Sequence, residues 1–274
     1  MTERSEDLAK AARASALAMT SRSSSPHIGS SLSVIDILAV LYTGGANIEP
    51  IGVEDPLRDL ILISKGHASA ALYAVLAHAG FFPTTDLESF CNDGSYLGGH
   101  VTSGHIPGVE FSTGSLGHGL PVGCGMALAE KRRPRGKNVF VVMSDGECDE
   151  GSTWESALFA AHQSLDRLCV IIDRNGLQSF GSTEETVKLE GLCDKWQAFG
   201  WDVLEIDGHD HDALHEAFDF HRSGSVPSGQ RQPTVVIAKT IKGKGVSFME
   251  GRTEWHYLAP TSDQLEQAAR EVKG

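Results

Sequence analysis

Residues 139–147, VFVVMSDGE, and residues 168–176, LCVIIDRNG, are the stretches whose reading decides the fold. Each opens with five apolar residues in unbroken succession, the pattern of a strand buried on both faces of a parallel sheet. Each then turns polar, at Ser144-Asp145-Gly146 and at Asp173-Arg174-Asn175-Gly176. A helical stretch over about 152–163 joins them, so the pair reads as one strand–helix–strand unit. The polar residues then stand at the carboxyl ends of neighbouring strands, where open α/β sheets bind ligands.

The same alternation extends in both directions. Downstream, 202–206 and 234–238 read as strands with a helix over about 210–220 between them, and a short helix over about 262–272 follows. Upstream, DLILI (59–63) is a short apolar run, and an Ala-rich helix over about 68–79 is closed by Gly80. Residues 5–20 carry a broad helix face of Leu8, Ala11, Ala12, Ser15, Leu17 and Met19. A polar loop is expected from Ser21 to Ser31, then a helix over about 34–42 capped by Ser33, with Asp36 three residues on. Between Asn92 and Gly119 the chain is rich in Gly, His and Ser and lacks periodicity. Hydrophobic residues continue through it and a helix over about 120–131 follows, so it reads as a functional loop. The expectation is a single α/β domain over residues 1–274, with a doubly wound, mostly parallel sheet and helices on both faces.

Composition narrows the function. The net charge of −13 argues against nucleic acid or an anionic membrane as partner. An anionic ligand must then be held locally, by a metal, by histidines or by backbone N–H groups. Cys91, Cys124, Cys148, Cys169 and Cys193 are scattered with no Cys-x-x-Cys pair, which reads as buried or idle thiols in a reducing compartment. Residues 1–23 are charged and amphipathic, without the apolar run of a signal peptide or membrane span, so a cytoplasmic protein is expected.

Asp145 and Asn175 are about thirty residues apart, which suits one strand–helix–strand unit. A carboxylate and an amide oxygen converging there make an oxygen-only site for Mg²⁺ or Ca²⁺, completed by phosphate oxygens and water. Gly146 lets the backbone approach a phosphate closely, and the N-terminus of the following helix is expected to add N–H donors. Either dipeptide alone, Asp-Gly or Asn-Gly, is ordinary turn chemistry. The pair, in this order and at this spacing, carries the functional reading.

Twelve histidines are present. His78, His162, His209, His211, His215 and His221 fall in expected helices or in an acidic turn, where surface or capping roles suffice. His27, His67, His100, His105 and His256 lie in loops beside glycine, serine or an aromatic residue. There a group titrating near neutrality can bond phosphate oxygens or move protons. None of the histidines or cysteines has the local spacing of a structural zinc site.

Together these features resemble the transketolase family. Asp145-Gly146 followed by Asn175 is similar to its thiamine-diphosphate motif, with Ser144 in place of the first glycine. SPHIGSSLSVIDILAVLY (25–42), SKGHAS (64–69) and LGGH (97–100) resemble its histidine motifs. GVEFSTGSLGHGLPVGCGMALAEK (108–131) resembles its Gly-rich stretch, and KTIKGKGVSFMEGRTEWH (239–256) its last histidine motif. They occur in family order along the whole chain, which implies the thiamine-diphosphate-binding fold. The resemblance implies that His67 and His256 contact the diphosphate, with His256 also facing substrate. It implies that His27 and His100 line the channel over the reacting carbon and relay protons. Gly114 offers its carbonyl to the aminopyrimidine, Leu116 packs near the cofactor, and Glu150 joins a carboxylate network across the interface between subunits. Asp145, Asn175 and the carbonyl of Leu177 hold the metal. Roles for His105 and His118 stay open. Lys65 reads equally as an exposed charge or as a residue near the site.

The family also implies a two-carbon ketol transfer from a ketose phosphate to an aldose acceptor. It further requires a pyrimidine-binding domain whose glutamate activates the cofactor; residues 1–274 carry no match to one, which a truncated sequence would also explain. The expectation is a split enzyme, paired as α2β2 with a separate subunit carrying the pyrimidine-binding and C-terminal domains. Three alternatives remain. Ser24-Ser25-Pro26 and His118 leave room for a non-aldose acceptor such as a carrier-bound thiol. A 2-oxo acid dehydrogenase α subunit shares the diphosphate motif but not SKGHAS or GVEFSTGSLGHG. A catalytically dead homologue is disfavoured by the intact Asp145, Asn175 and aligned histidines.

Overall fold

The computed structural model describes residues 2–51, 54–134, 136–223 and 231–273; the chain ends Met1 and Gly274 lie outside them. The strands are β1 (Leu60–Ile63), β2 (Val139–Ser144), β3 (Leu168–Arg174), β4 (Asp202–Asp207) and β5 (Thr234–Lys239). The helices are α1 (Thr2–Ser23), α2 (Ile28–Val40), α3 (Ser69–His78), α4 (Gly119–Lys131) and α5 (Gly151–His162). They continue with α6 (Thr183–Thr186), α7 (Leu192–Ala198), α8 (His211–Ser223) and α9 (Ser262–Lys273). All strand pairings are parallel, in the order β1-β2-β3-β5-β4.

Successive strand side chains point to opposite faces, and the unbroken apolar runs serve two cores. Val139, Val141 and Met143 join Val170, Ile172 and Ile237 under α4, α5 and α7. Phe140 and Val142 join Ile171, Val236 and Ala238 under α1, α2, α3 and α8. The doubly wound α/β reading therefore holds, and β2 and β3 are neighbours. Their register sets Ser144 opposite Asp173, so Asp145 and Asn175 emerge side by side at the carboxyl edge.

The main departure is at residues 21–42. The helix begins at Ile28, not near Val34, and the connection from α1 is only a few residues long. Ser30, Ser31 and Ser33 are buried inside α2, not looped in solvent. The serines read as polar punctuation, but they are small, and α2 uses them where it packs closely on its neighbours. Ser33 is not a cap. Its hydroxyl donates to the Asp173 carboxylate at 2.6 Å, with the Ser30 carbonyl 3.1 Å away. Among the described residues, Ile28–Gly45 is the stretch apolar and long enough to cross a membrane, and 94% of it is buried in the protein core.

The aperiodic segment before α4 is tied down by its backbone. Val101 donates to the Gly66 carbonyl at 3.1 Å, and Thr113 donates to the Val101 carbonyl at 3.0 Å. The Thr113 hydroxyl donates to the Ile63 carbonyl at 2.6 Å. Gly66 permits this close approach, because a Cβ there would sit 2.4 Å from the Thr113 carbonyl oxygen.

Candidate active site

The carboxyl ends of β1, β2, β3 and β5 converge on a cleft enclosing about 700 Å³, part of it open solvent. Its lining contains His27, His67, His100, Gly114, Leu116, Asp145, Gly146, Asn175, Leu177 and His256. Motifs spread over more than two hundred residues of sequence thus meet at one place.

One wall comes from β2 and β3. Asp145 is buried, and its Oδ2 accepts the Gly176 N–H at 2.7 Å and Arg174 Nη1 at 3.3 Å. Burial, together with the Asp173 charge nearby, raises the Asp145 carboxyl above its ordinary range. Asn175 Oδ1 accepts the Leu177 N–H at 3.1 Å, a turn that brings the Leu177 carbonyl to the same wall.

Histidines form the roof. The His27 ring centroid lies 5.4 Å from His67, 5.6 Å from His100 and 4.9 Å from His256. His27 has φ 74°, a left-handed conformation costing a non-glycine residue about 1–2 kcal/mol. It is held there by its N–H donating to the His256 carbonyl at 2.9 Å, and such strain clusters at functional sites. Burial, then the charges of His100 and Lys242, push His27 down to about 4. Burial, then Lys242, push His256 down to about 3, and burial with Lys65 holds His67 well below its usual value. These three rings are neutral near pH 7. His100 is oriented through its carbonyl, which accepts from the Tyr73 hydroxyl at 3.0 Å.

The floor holds Lys65, whose role the sequence leaves open, together with Asp173 and Lys242, which sequence reasoning does not single out. Lys65 is fully buried and paired with Asp173, which resolves its two readings against an exposed charge. Asp173 also accepts from Ser33 and Thr240. The carboxyl lies below its usual range because burial, which raises it, is outweighed by Lys65 and these hydroxyls. Lys242 lines the cleft directly. Its Nζ lies 3.1 Å from Ser30 Oγ, 3.4 Å from the Leu177 carbonyl and 3.4 Å from His256 Nδ1. Burial, then Lys65, push it down to about 8. Its position just past β5, in a Lys-Gly-Lys-Gly run, is the signal that could have marked it. Ser30, Ser144, Gln178 and Ser179 complete the lining.

Glu147, also unanticipated, organises the wall. Its carboxylate accepts from the Ser64 hydroxyl, the Gly117 N–H at 3.0 Å and the Ser144 N–H at 3.0 Å. Burial raises its carboxyl above the ordinary range, against those donors. Ser144, where the family motif has glycine, forms a capping box with it.

Some expectations fall elsewhere. Glu150 is exposed and outside the cleft lining, as are His105 and His118. The N-terminus of α5 does not reach the cleft, because a 3₁₀ turn over Asp145–Asp149 intervenes. His209 and His211, expected to be bland, both bond the buried Asp36.

An α/β sheet with a carboxylate–amide pair at two strand ends, beneath clustered histidines, defines a cofactor-binding enzyme domain. Residues 4–273 match the family described as transketolase, thiamine diphosphate binding domain. The chain is 43% identical over 246 residues to an apulose-4-phosphate transketolase subunit of Phocaeicola vulgatus, covering 90% of this chain and 85% of that one. It is 39% identical over 247 residues to a 6-deoxy-6-sulfo-D-fructose transketolase subunit of Clostridium sp. (strain MSTE9), covering 90% and 88%. The transketolase from Leishmania mexicana superposes with a TM-score of 0.89 at 28% identity, covering 98% of this chain and 41% of that one. The chain therefore spans about two-fifths of the solved transketolases it matches. It belongs to the transketolase family and is a thiamine-diphosphate-binding domain of that family.

Proposed function

We propose that this chain is the diphosphate-binding subunit of a two-subunit transketolase that moves a two-carbon ketol unit from a ketose phosphate to an aldose. The observation that carries the reading is the convergence of Asp145, Asn175 and Leu177 with His27, His67, His100 and His256 in one cleft. The donor set fits the cofactor and its metal. No group of three or more His, Cys, Asp or Glu among the described residues is placed to hold an ion by itself. An ion here would take the Asp145 carboxylate, the Asn175 amide oxygen and the Leu177 carbonyl, with diphosphate oxygens and water completing the set. Mg²⁺ and Ca²⁺ both accept such ligands.

Thiamine diphosphate, when bound, would supply a nucleophilic carbon for a ketose carbonyl and an electron sink for the bond that breaks. The residues of this chain bind, orient and move protons. Lys242, His67 and His256, which line the cleft, would hold the diphosphate, and Gly146 would let the backbone close on it. Gly114 and Leu116, also in the lining, would hold the ring portion of the cofactor. His27, His100 and His256 bond substrate hydroxyls, and the depressed His27 and His256 rings are free bases near pH 7, able to accept a proton. Glu150, exposed at the start of α5, meets the partner subunit.

The partner is a separate chain carrying the pyrimidine-binding and C-terminal domains, in an α2β2 assembly. Support comes from relatives that are themselves named as transketolase subunits, which this chain covers over 85–95% of their length. The free cysteines suit a reducing compartment, and we assign the enzyme to the cytoplasm. The test is reconstitution. The chain with its partner should transfer ketol units in the presence of thiamine diphosphate and Mg²⁺, and the chain alone should not. Equal rates with and without the partner would refute the split architecture. No heat of thiamine diphosphate binding to the pair would refute the site.

A further inference from the structure

Helix α2 is buried along its length, yet it carries polar residues at every third position, Ser30, Ser33 and Asp36. Ser30 contacts Lys242 and Ser33 contacts Asp173, both at the cleft floor. Asp36 lies one turn further along and bonds groups of a different kind. Its Oδ2 accepts from Arg13 Nη2 at 2.8 Å and from His209 Nδ1 at 2.7 Å, and its Oδ1 accepts from His211 Nε2 at 3.2 Å. Burial acts to raise the carboxyl, but these donors outweigh it and keep Asp36 anionic.

What matters is where the donors end. His209 Nε2 accepts the backbone N–H of Ile241 at 2.9 Å, which puts the ring proton on Nδ1, facing Asp36. Arg13 Nε donates to the backbone carbonyl of Lys244 at 3.1 Å. His211 Nδ1 bonds Ser5 Oγ of α1 at 2.7 Å, while the His209 and Arg13 arms both stop on the main chain of one short segment, 241–244. Its middle is fastened by the Gly243 N–H to the Gly29 carbonyl at 2.9 Å. Lys242 lies inside this segment and reaches the cleft. A buried polar cluster serving only to fill space would close on itself, and apolar residues would do that at no loss of stability.

Resting on the functional reading above, we propose that Asp36 is a positioning residue. Through His209 and Arg13 it clamps both ends of segment 241–244 and so aims the Lys242 ammonium at the diphosphate.

The test is a double-mutant cycle read by calorimetry of thiamine diphosphate with Mg²⁺, on the chain complexed with its partner subunit. His209→Leu removes one arm and should weaken binding roughly tenfold, the scale of lost supporting bonds around a ligand site. His209→Gln, which can still accept from Ile241 and donate to Asp36, should recover most of that loss. Lys242→Met should weaken binding by at least as much. In the Lys242→Met background, His209→Leu should cost little more, because the clamp acts through Lys242. If the full tenfold loss persists there, the clamp does not act through Lys242 and the proposal fails. It fails also if Lys242→Met binds as wild type. Arg13→Met, cutting the other arm, repeats the cycle should His209→Leu not fold. No heat from the wild-type complex would instead overturn the functional reading, and the clamp with it.

Discussion

The His27 N–H donates to the His256 carbonyl at 2.9 Å, and the two rings meet edge to face with centroids 4.9 Å apart. Two motifs from opposite ends of the chain are thereby locked into one roof. Both rings are depressed from the ordinary 6.5, His27 to about 4 and His256 to about 3. Between pH 6.5 and these values the unfolded chain takes up protons that the folded chain refuses. Stability fully present above pH 6.5 is therefore lost as pH falls toward 4 and 3. Imidazole resonances of His27 and His256 should titrate well below 6.5, and His27→Asn should lose thermal stability less steeply in acid than wild type. Midpoints near 6.5 would contradict the burial argument.

The Lys65–Asp173 pair is fully buried. Lys65→Met leaves the Asp173 charge without its cation and should cost about 3–5 kcal/mol in urea unfolding. Lys65→Met with Asp173→Leu should recover more than half of that, since no isolated charge remains. A single variant as stable as wild type would mean the pair is not buried as described.

Asp145→Ala removes the carboxylate of the proposed ion site. Affinity for thiamine diphosphate with Mg²⁺ should fall by roughly 100-fold or more, the upper end of losses at supporting positions. The melting temperature of the ligand-free chain should shift by less than about 4 °C. EDTA should release the cofactor, and Mg²⁺ or Ca²⁺ should restore it. Binding unaffected by EDTA would exclude the ion from the site.

A Cβ on Gly66 would sit 2.4 Å from the Thr113 carbonyl oxygen, and one on Gly119 would sit 2.4 Å from Ser64 Cβ. Gly66→Ala and Gly119→Ala should each destabilise by about 1–3 kcal/mol, as overpacking does. Both should weaken cofactor binding as well, since Gly114 and Leu116 lie on the displaced segment. Melting curves and calorimetry on the same samples check the pairing of the two effects.

Much of the site was legible because its chemistry is local. Asp145-Gly146 and Asn175 directly follow apolar strands, and five of the family's motifs are contiguous strings. The misread stretch, 21–42, shows the limit. Ser30, Ser31 and Ser33 look like loop residues by type, and only their burial in α2 reveals them as small residues in a packed helix. Lys242, Asp173 and Glu147 were hidden, and Lys65 had two readings, for a related reason. A charged residue in a polar turn reads as solvated until its partner is known, and the decisive partners, Ser30 for Lys242, Lys65 for Asp173 and Ser64 for Glu147, are remote in sequence.

The sequence by itself determined the parallel α/β architecture, the strand ends that carry Asp145 and Asn175, and the family. These rest on apolar periodicity and on motifs that need no distant partner. Only the tertiary structure decided that His27 is the hub of the roof, that Lys242 rather than the α5 N-terminus lines the cleft, and that Asp36 is tied to His209 and Arg13. Burial and hydrogen-bond partnership are properties of pairs brought together by folding. A residue's type and its neighbours in the chain do not encode which distant group will satisfy it.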